Sequence, residues 1–377
     1  MLVIPIFVPH AGCPHNCCFC NQKTISGSKS QPNKDDIINT IETFRKAAAR
    51  FDEVQIAFFG GSFTAIDPEI QETYLITAQP YLKINGGFVD TIRLSTRPDA
   101  IDTDVIARLK KYHATIVELG TQSMIDKVLR ISERGHSAMA TENASKLLKD
   151  NGFVLGLQMM TGLPGATTDD DIETADRICA LKPDFVRIYP TIVVKNTKLE
   201  RDYLNGEYTP MPLETAVELC AKLWKKFESH NIKVVRMGLQ STDTITNDGE
   251  MSEVVAGPYH EAFGELVKSR IMLEKITAML DKLSDRPELF GYSLRIITPR
   301  ELTSSATGYG GRNIRFLKEK YGFRYVKVIP AKDAQNGIFP NFYDNEKTKI
   351  FSKITDRSPE RPDGREVFVI ETEINRL

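Results

Sequence analysis

A chain of 377 residues, 41% hydrophobic and 26% charged, can bury the core of one large domain with an appendage, or of two domains, and has the balance of a soluble globular protein. It contains no run of about 18 apolar residues, which argues against a transmembrane helix. Its six cysteines, four of them within eight positions, are the wrong pattern for the spread disulfide framework of a small secreted chain. The formal net charge of −1 hides an uneven layout, because residues 295–332 hold nine basic side chains against two acidic ones.

The opening MLVIPIFVPHAG is apolar, lacks a basic n-region and runs straight into the cysteines. It is expected to be a strand over 2–9 and not a signal peptide, and the expected location is cytoplasmic. Further strands are expected over 53–59, 91–95, 114–119, 153–159, 185–189 and 233–237. Between them lie amphipathic stretches such as DDIINTIETFRKAAARF, DVIARLKKY, TENASKLLKDNG, DIETADRICALK and TAVELCAKLWKKFESH. Strand and helix in alternation imply right-handed βαβ units and a parallel sheet. Six or so strands fall short of a closed eight-fold barrel, so the expected fold is α/β, a partial (β/α)6 TIM-like barrel over 1–238. A C-terminal extension over 239–377 follows. It comprises a polar loop in STDTITNDGEMSE, a helical segment over 258–286, and a small basic α/β unit over 290–332, in which YSLRIITP, RNIRFLKEKYG and RYVKVIP read as strand, helix and strand. AKDAQNGIFPNFYDNEKT is expected to be a loop and REVFVIETEIN a last strand or tail.

The stretch CPHNCCFCNQ raises the question of which thiols hold something. Three of the four give Cys13-x3-Cys17-x2-Cys20, with Cys18 between two of them. A structural zinc site would need a fourth ligand from Cys18, His10 or His15, because no second C-x2-C follows. An electron-transfer ferredoxin site would also need a fourth cysteine. Three thiolates on a four-iron cluster leave one iron open to a substrate-like ligand. Cys179 and Cys220, in apolar helical settings, are expected to be small buried hydrophobes. GGSF, STRPD, GTQS and TGLPG all fall where strands end, the place at which parallel α/β barrels hold ligands.

C-x3-C-x-aromatic-C, with Phe19 in the aromatic place, resembles the signature of the radical S-adenosylmethionine enzymes. The resemblance implies that Cys13, Cys17 and Cys20 ligate a [4Fe–4S] cluster whose fourth iron is chelated by S-adenosylmethionine. It further implies that one electron, from a reductase or a flavodoxin- or ferredoxin-type donor, cleaves the cofactor to methionine and a 5′-deoxyadenosyl radical that takes a hydrogen atom from substrate. Cys18 is then a non-ligand. FFGGSFT resembles the family's glycine pair, where Gly60 and Gly61, followed by Ser62, let the backbone approach the cofactor's amine. With STRPD, VELGTQS and ERGHS, the chain is similar to a narrower group, the radical domain of the Elongator catalytic subunit and, more distantly, oxygen-independent coproporphyrinogen oxidase. That likeness makes Gln122 and Arg134 cofactor contacts, the arginine fork being suited to a carboxylate. Ser95 stands where the Elongator pattern has Glu, and Thr96 is the contact beside it. GFVLGLQMMTGLPGAT and PDFVRIYPTIVVKNTKLERDYLNGEY carry the resemblance to about residue 240, with Tyr189 and Lys198 facing the open end of the barrel as candidate catalytic residues. The bland alternatives are a helix-surface role for Arg134 and a packed aromatic for Tyr189. VVAGPYHEAFGELVKSR resembles the tail of stand-alone bacterial relatives, where His260 is either a proton donor or structural.

These residues point to a radical S-adenosylmethionine enzyme acting on RNA, with a tRNA base as the expected target. Arg312, Arg315 and Lys318 would contact phosphates among the aromatics Tyr309, Phe316, Tyr321, Phe323 and Tyr325. The sequence shows no second domain of acetyltransferase size, so an acyl transfer would need a separate acyl donor or acyltransferase partner. Two rivals stand beside this reading. One is a radical enzyme acting on a small metabolite such as a porphyrin precursor, with the basic block a solvated face. The other is an RNA-binding protein with a structural iron–sulfur cluster.

Overall fold

Seven strands, one at each expected place, build one parallel sheet: β1 (Leu2–Val8), β2 (Val54–Gly60), β3 (Thr91–Thr96), β4 (Ala114–Gln122), β5 (Val154–Thr161), β6 (Phe185–Pro190) and β7 (Lys233–Met237). Each pairs with the next in chain order and all pairs are parallel. The result is an open, curled half-barrel with every strand's C-terminal end at the same mouth, a partial TIM barrel. The computed structural model describes residues 1–8, 17–21, 31–239, 245–246, 252–281, 293–330, 348–355 and 366–372, the last two stretches by backbone only. The chain divides into two compact units, Met1–Glu261 and Ala262–Leu377.

Alternation along the strands separates two chemistries. Ile4, Ile6 and Val8, Ile56 and Phe58, Ile92 and Leu94, Val117 and Leu119, Leu155 and Leu157, and Val186 and Ile188 are all buried and make one apolar face. Helices supply the other half of that core: the amphipathic α1 (Lys34–Ala48) buries Ile37 and Ile41, α2 (Pro68–Ala78) buries Leu75, and the amphipathic α3 (Thr103–Lys111) buries Val105, Ile106 and Leu109. They are followed by α4 (Asp126–Ile131), α5 (Ala138–Asp150), α6 (Thr168–Leu181), α7 (Lys198–Leu204) and α8 (Leu213–Ser229). Cys179 and Cys220 are buried in α6 and α8, as small apolar side chains. The alternate strand positions, Gln55, Arg93, Glu118, Gln158 and Arg187, are polar and share contacts with one another on the opposite, lumenal face.

The N-termini of the helices are fixed by side chains that accept orphan backbone N–H groups. Asn33 and Asp36 form a reciprocal capping box on α1, as do Thr167 and Asp170 on α6. Helices α2, α4 and α7 have no counterpart among the helical stretches expected from periodicity. α2 begins on an Asp67 cap followed by a first-turn proline, and α7 begins on a Thr197 cap. A two-stranded antiparallel ladder joins Val193–Val194 to Val254–Ala256.

The second unit holds α9 (Phe263–Asp281), β8 (Ser293–Thr298), α10 (Thr303–Thr307), α11 (Arg312–Tyr321), β9 (Tyr325–Pro330), β10 (Thr348–Thr355) and β11 (Glu366–Thr372). Its sheet runs β9-β8-β11-β10, parallel except for β10. The expected strand–helix–strand is present, and Met272, Ile276, Leu294, Ile296, Leu317 and Phe323 form its core. Strand β10 has no counterpart among the strands expected from the sequence. The expected loop from Ala331 lies almost wholly outside the described residues.

Candidate functional site

The cysteine segment docks at the barrel mouth through its backbone. Cys20 N–H donates to the Cys17 carbonyl at 3.0 Å, closing a tight turn with half-buried Phe19 inside it. Cys18 N–H donates to Ser132 O at 3.1 Å, and Cys18 O accepts from Leu199 N at 2.8 Å, so the turn is held between the segment after α4 and the start of α7. Cys17 and Cys18 are buried, whereas Cys20 is only partly covered. Burial, aided by the Cys17 sulfur, pushes the Cys18 thiol up to about 12. Cys13 lies outside the described residues, as do His10 and His15.

Arg134 reaches this turn from the ERGHS segment. Its Nη1 donates to Cys17 Sγ at 3.4 Å, its Nη2 to the Gly120 carbonyl at 2.7 Å and its Nε to His136 Nε2 at 3.1 Å. Gly120 is required for that approach, since a Cβ there would stand 2.6 Å from Arg134 Nη2. Gln122 ends β4 with φ +65°, where the pairing to β5 slips, and its Oε1 is buried without a protein partner. Ser95 Oγ is in the same condition. Gly60 closes β2 with φ +105°, a conformation that a side chain strains, and its missing Cβ would lie 3.2 Å from the Val8 carbonyl. Gly61 and Ser62 follow directly, the buried Ser62 leading the turn Phe63–Ala65. The Thr96 hydroxyl is 2.6 Å from that of Thr64, so its hydrogen bond stays within the loops beside the mouth.

The two residues singled out for catalysis have different partners. Tyr189 Oη accepts from Arg187 Nη1 at 3.4 Å in the lumen. Lys198, the first residue of α7, pairs with Glu133 at 2.6 Å beside the cysteine turn. Below Tyr189 lies a charged layer to which Glu118 of VELGTQS and Arg187 of PDFVRIYP belong, neither of them among the site residues expected from the sequence. The fully buried Glu118 is paired with Arg93 on one side and with Arg187 on the other, where Arg187 Nη2 donates to Glu118 Oε1 at 3.3 Å and Nε lies 2.7 Å from Oε2 without being aligned as a hydrogen bond. Gln158 donates to Glu118 at 3.4 Å, Gln55 accepts from Arg93 at 2.9 Å, and the Arg187 guanidinium lies 5.4 Å from the Phe59 ring centre. Two guanidinium groups against one carboxylate leave the layer one positive charge. The signal for it is present in the sequence, as charged residues flanked by apolar ones inside strands: IRL, VEL and VRI.

Outside the lumen, Asp171 in the first turn of α6 is buried and accepts from Gly162 N at 2.9 Å. Burial pushes its carboxyl up to about 7 from an ordinary 3.8, with Asp170 adding to the rise and the Gly162 N–H opposing it. The folded protein therefore binds this proton more tightly than the unfolded chain. The associated stability is fully present below about pH 4 and is lost as pH rises through 7. Asp171→Asn keeps an acceptor for Gly162 N–H and is expected to flatten this dependence. It should gain about 1–3 kcal/mol over the parent at pH 8 and little at pH 4, read from urea midpoints at the two pH values. Equal slopes in the two proteins would refute it.

In the second unit, Arg312 and Arg315 are exposed on α11, Arg315 Nη1 donating to the Gly310 carbonyl at 2.7 Å. Lys318 Nζ lies 5.9 Å from the Tyr325 ring centre, and Arg324 lies 5.6 Å from the same ring. Tyr309, Phe316 and Tyr325 are the exposed aromatics of this face. His260 lies in the first unit.

The mouth fits a sulfur-ligated cluster with an amino-acid-bearing cofactor. A cysteine sulfur faces a guanidinium, a glycine-lined backbone leaves room for close approach, and two buried polar oxygens, Gln122 Oε1 and Ser95 Oγ, are without protein partners. Among the described residues no helix is long and apolar enough to cross a membrane. Comparison with known proteins agrees with this architecture. The family model described as the Radical SAM superfamily matches residues 7–178, and that of the Radical SAM C-terminal domain matches residues 183–272. The chain is 28% identical over 303 residues to the tRNA uridine(34) acetyltransferase of Methanocaldococcus infernus, an alignment covering 70% of this chain and 55% of that protein. It is 27% identical over 201 residues to human Elongator complex protein 3, covering 48% of this chain and 37% of that one. This chain thus spans about half the length, or less, of these curated relatives. The solved structure of M. infernus Elp3 with an N-terminal deletion superposes with a TM-score of 0.54 at 20% identity, covering 94% of this chain and 71% of that one, and supports the fold. From the matched families and the half-barrel together, the chain is an enzyme of the radical S-adenosylmethionine superfamily, related to the Elongator catalytic subunit.

Proposed function

We propose that this enzyme cleaves S-adenosylmethionine reductively at a [4Fe–4S] cluster held by Cys13, Cys17 and Cys20, and uses the resulting radical to modify RNA, with a tRNA base as target. The observation that carries the proposal is the convergence of Cys17, Arg134, Gly120 and Gln122 at the mouth of the half-barrel. When bound, the cluster and its cofactor supply a carbon-centred radical that takes a hydrogen atom from substrate. The chain's own residues position and exclude. Arg134 presents guanidinium N–H groups beside the ligand sulfur and toward a carboxylate, Gln122 and Ser95 offer oxygens to the cofactor's amine or ribose, and Gly60, Gly61 and Ser62 line its approach. Phe19 lies within the cysteine turn, Tyr189 places its hydroxyl in the lumen beside Arg187, and Lys198 pairs with Glu133 next to the turn.

The RNA substrate rests on relatives named for tRNA uridine(34) and on the basic, aromatic face of α11 and β9. Electrons would come from a reductase or a flavodoxin- or ferredoxin-type protein. Any acyl group would come from a separate donor or acyltransferase. The test is direct. Protein reconstituted anaerobically with iron and sulfide, then given dithionite and S-adenosylmethionine, is expected to release 5′-deoxyadenosine, and more of it with bulk tRNA. Cleavage indifferent to tRNA would overturn the RNA substrate in favour of a small metabolite. A loaded cluster with no cleavage would leave an RNA-binding protein with a structural cluster.

RNA binding has its own check. Replacing Arg312, Arg315 and Lys318 by glutamate is expected to weaken tRNA binding. It should also flatten the slope of log affinity against log salt by roughly 2 to 3, one increment for each phosphate no longer neutralised. A slope unchanged in a filter-binding titration would remove this face from the interface.

A further inference from the structure

We infer that His136 is a positioning residue that fixes the Arg134 guanidinium against the Cys17 sulfur, and that through this N–H···S contact it raises the reduction potential of the cluster. The inference rests on Cys17 being a cluster ligand, as proposed above.

The hydrogen-bond directions define the arrangement. Arginine Nε–H can only donate, so at 3.1 Å from Arg134 Nε the His136 Nε2 must be the bare, accepting nitrogen. The ring proton then sits on Nδ1, which faces the Ser137 carbonyl at 3.2 Å and donates to it. An imidazolium would have no lone pair for Arg134 and would set two cations face to face. Burial and the Arg134 charge accordingly hold this histidine down to about 4, against the weaker pull of Asp99. His136 is therefore an acceptor at physiological pH, and its role is orientation.

The backbone fixes the same geometry. Glu133 sits at φ +55° and Gly135 at φ +78°, so Arg134 occupies a tight left-handed turn. That turn is anchored by Arg134 N–H to the Leu129 carbonyl at 2.9 Å and by the Glu133–Lys198 ion pair. With Nη2 on Gly120 O and Nε on His136, Nη1 is left pointing at Cys17 Sγ. A hydrogen bond and a positive charge at a ligand sulfur favour the more negative, reduced cluster and so raise its potential. Without His136 the guanidinium loses one of its three tethers, and the side chain can rotate off the sulfur.

The experiment is an anaerobic redox titration of the reconstituted protein, followed by the electron paramagnetic resonance signal of the reduced cluster, with iron content measured in parallel. His136→Ala is expected to load iron normally but to be about tenfold less reduced at a given poise, which is about 59 mV for a one-electron couple. His136→Gln, which offers a carbonyl oxygen near the Nε2 position, is expected to restore the parent value. Arg134→Lys, which lacks the fork, should match His136→Ala. Equal potentials in the parent and His136→Ala would overturn the inference while leaving the cluster intact. If His136→Ala fails to load iron, an Arg134→Lys protein at the parent potential would overturn it just as well. If the parent itself binds no cluster, the assignment of Cys17 as a ligand fails, and this inference with it.

Discussion

Cys17→Ala is expected to give a folded protein that cannot hold iron, and Cys18→Ala one that can. Both side chains are buried, so exposure does not separate them. Their surroundings do. The Cys17 sulfur accepts from the Arg134 guanidinium at 3.4 Å, a cationic donor suited to a sulfur that carries a cluster. Cys18 has both backbone groups occupied, by Ser132 and Leu199, and is wrapped where ionisation is disfavoured. Either substitution removes one small sulfhydryl from the interior, a cost on the order of 1 kcal/mol, too little to unfold a domain of this size. After anaerobic reconstitution, Cys17→Ala should lack cluster absorbance and form no 5′-deoxyadenosine above background, with a melting curve close to the parent's. Cys18→Ala should keep both properties. Iron retained by Cys17→Ala, or lost from Cys18→Ala, would reverse the assignment of ligand and neighbour.

Much of this architecture is legible in the sequence because two periodicities alternate along the chain. Apolar strands with turn motifs at their ends, separated by helices with one apolar stripe, leave little choice but a parallel sheet with its ligand mouth at the strand termini. Each of the seven strand segments forms, and GGSF and GTQS stand at the mouth. What escapes has a physical reason in each case. Helix α2 carries apolar and polar side chains without a clean stripe, and its start is set by Asp67 and Pro68, not by periodicity. β10 takes its hydrogen bonds from β11, a strand later in the chain, so no local signal marks it. The charged layer leaves only isolated charges inside apolar strands as its sequence signal, because Arg93, Glu118 and Arg187 lie on three separate strands and only the register brings them together. The Arg134–His136 contact is within reach, two residues apart in ERGHS, but which ring nitrogen faces the arginine is decided by a turn that only coordinates reveal.

Glu118→Gln is expected to be the most destabilising conservative substitution in the barrel, costing about 3–5 kcal/mol. The isostere keeps size and hydrogen-bonding capacity and removes only charge. Without that charge the largely buried guanidinium groups of Arg93 and Arg187 share the wall with no other acidic side chain among the described residues contacting either of them. Arg187→Gln should cost less, about 1–2 kcal/mol, because its side chain retains 14% exposure and Glu118 would still hold Arg93. The two effects should not add. With Arg187 already neutral, Glu118→Gln leaves one stranded guanidinium in place of two, so the double variant is expected to be less destabilised than the sum of the singles by about 1 kcal/mol or more. Urea denaturation of the four proteins at one pH measures this coupling. If the singles add without coupling, Glu118 and Arg187 do not share charge through the 2.7 Å contact, and the lumen wall is held by packing alone. A coupling of the expected size would mean that the positive charge left in the wall is stabilised by one carboxylate on β4. The electrostatics of the barrel interior would then depend on a residue that reaches neither the cysteine turn nor the mouth.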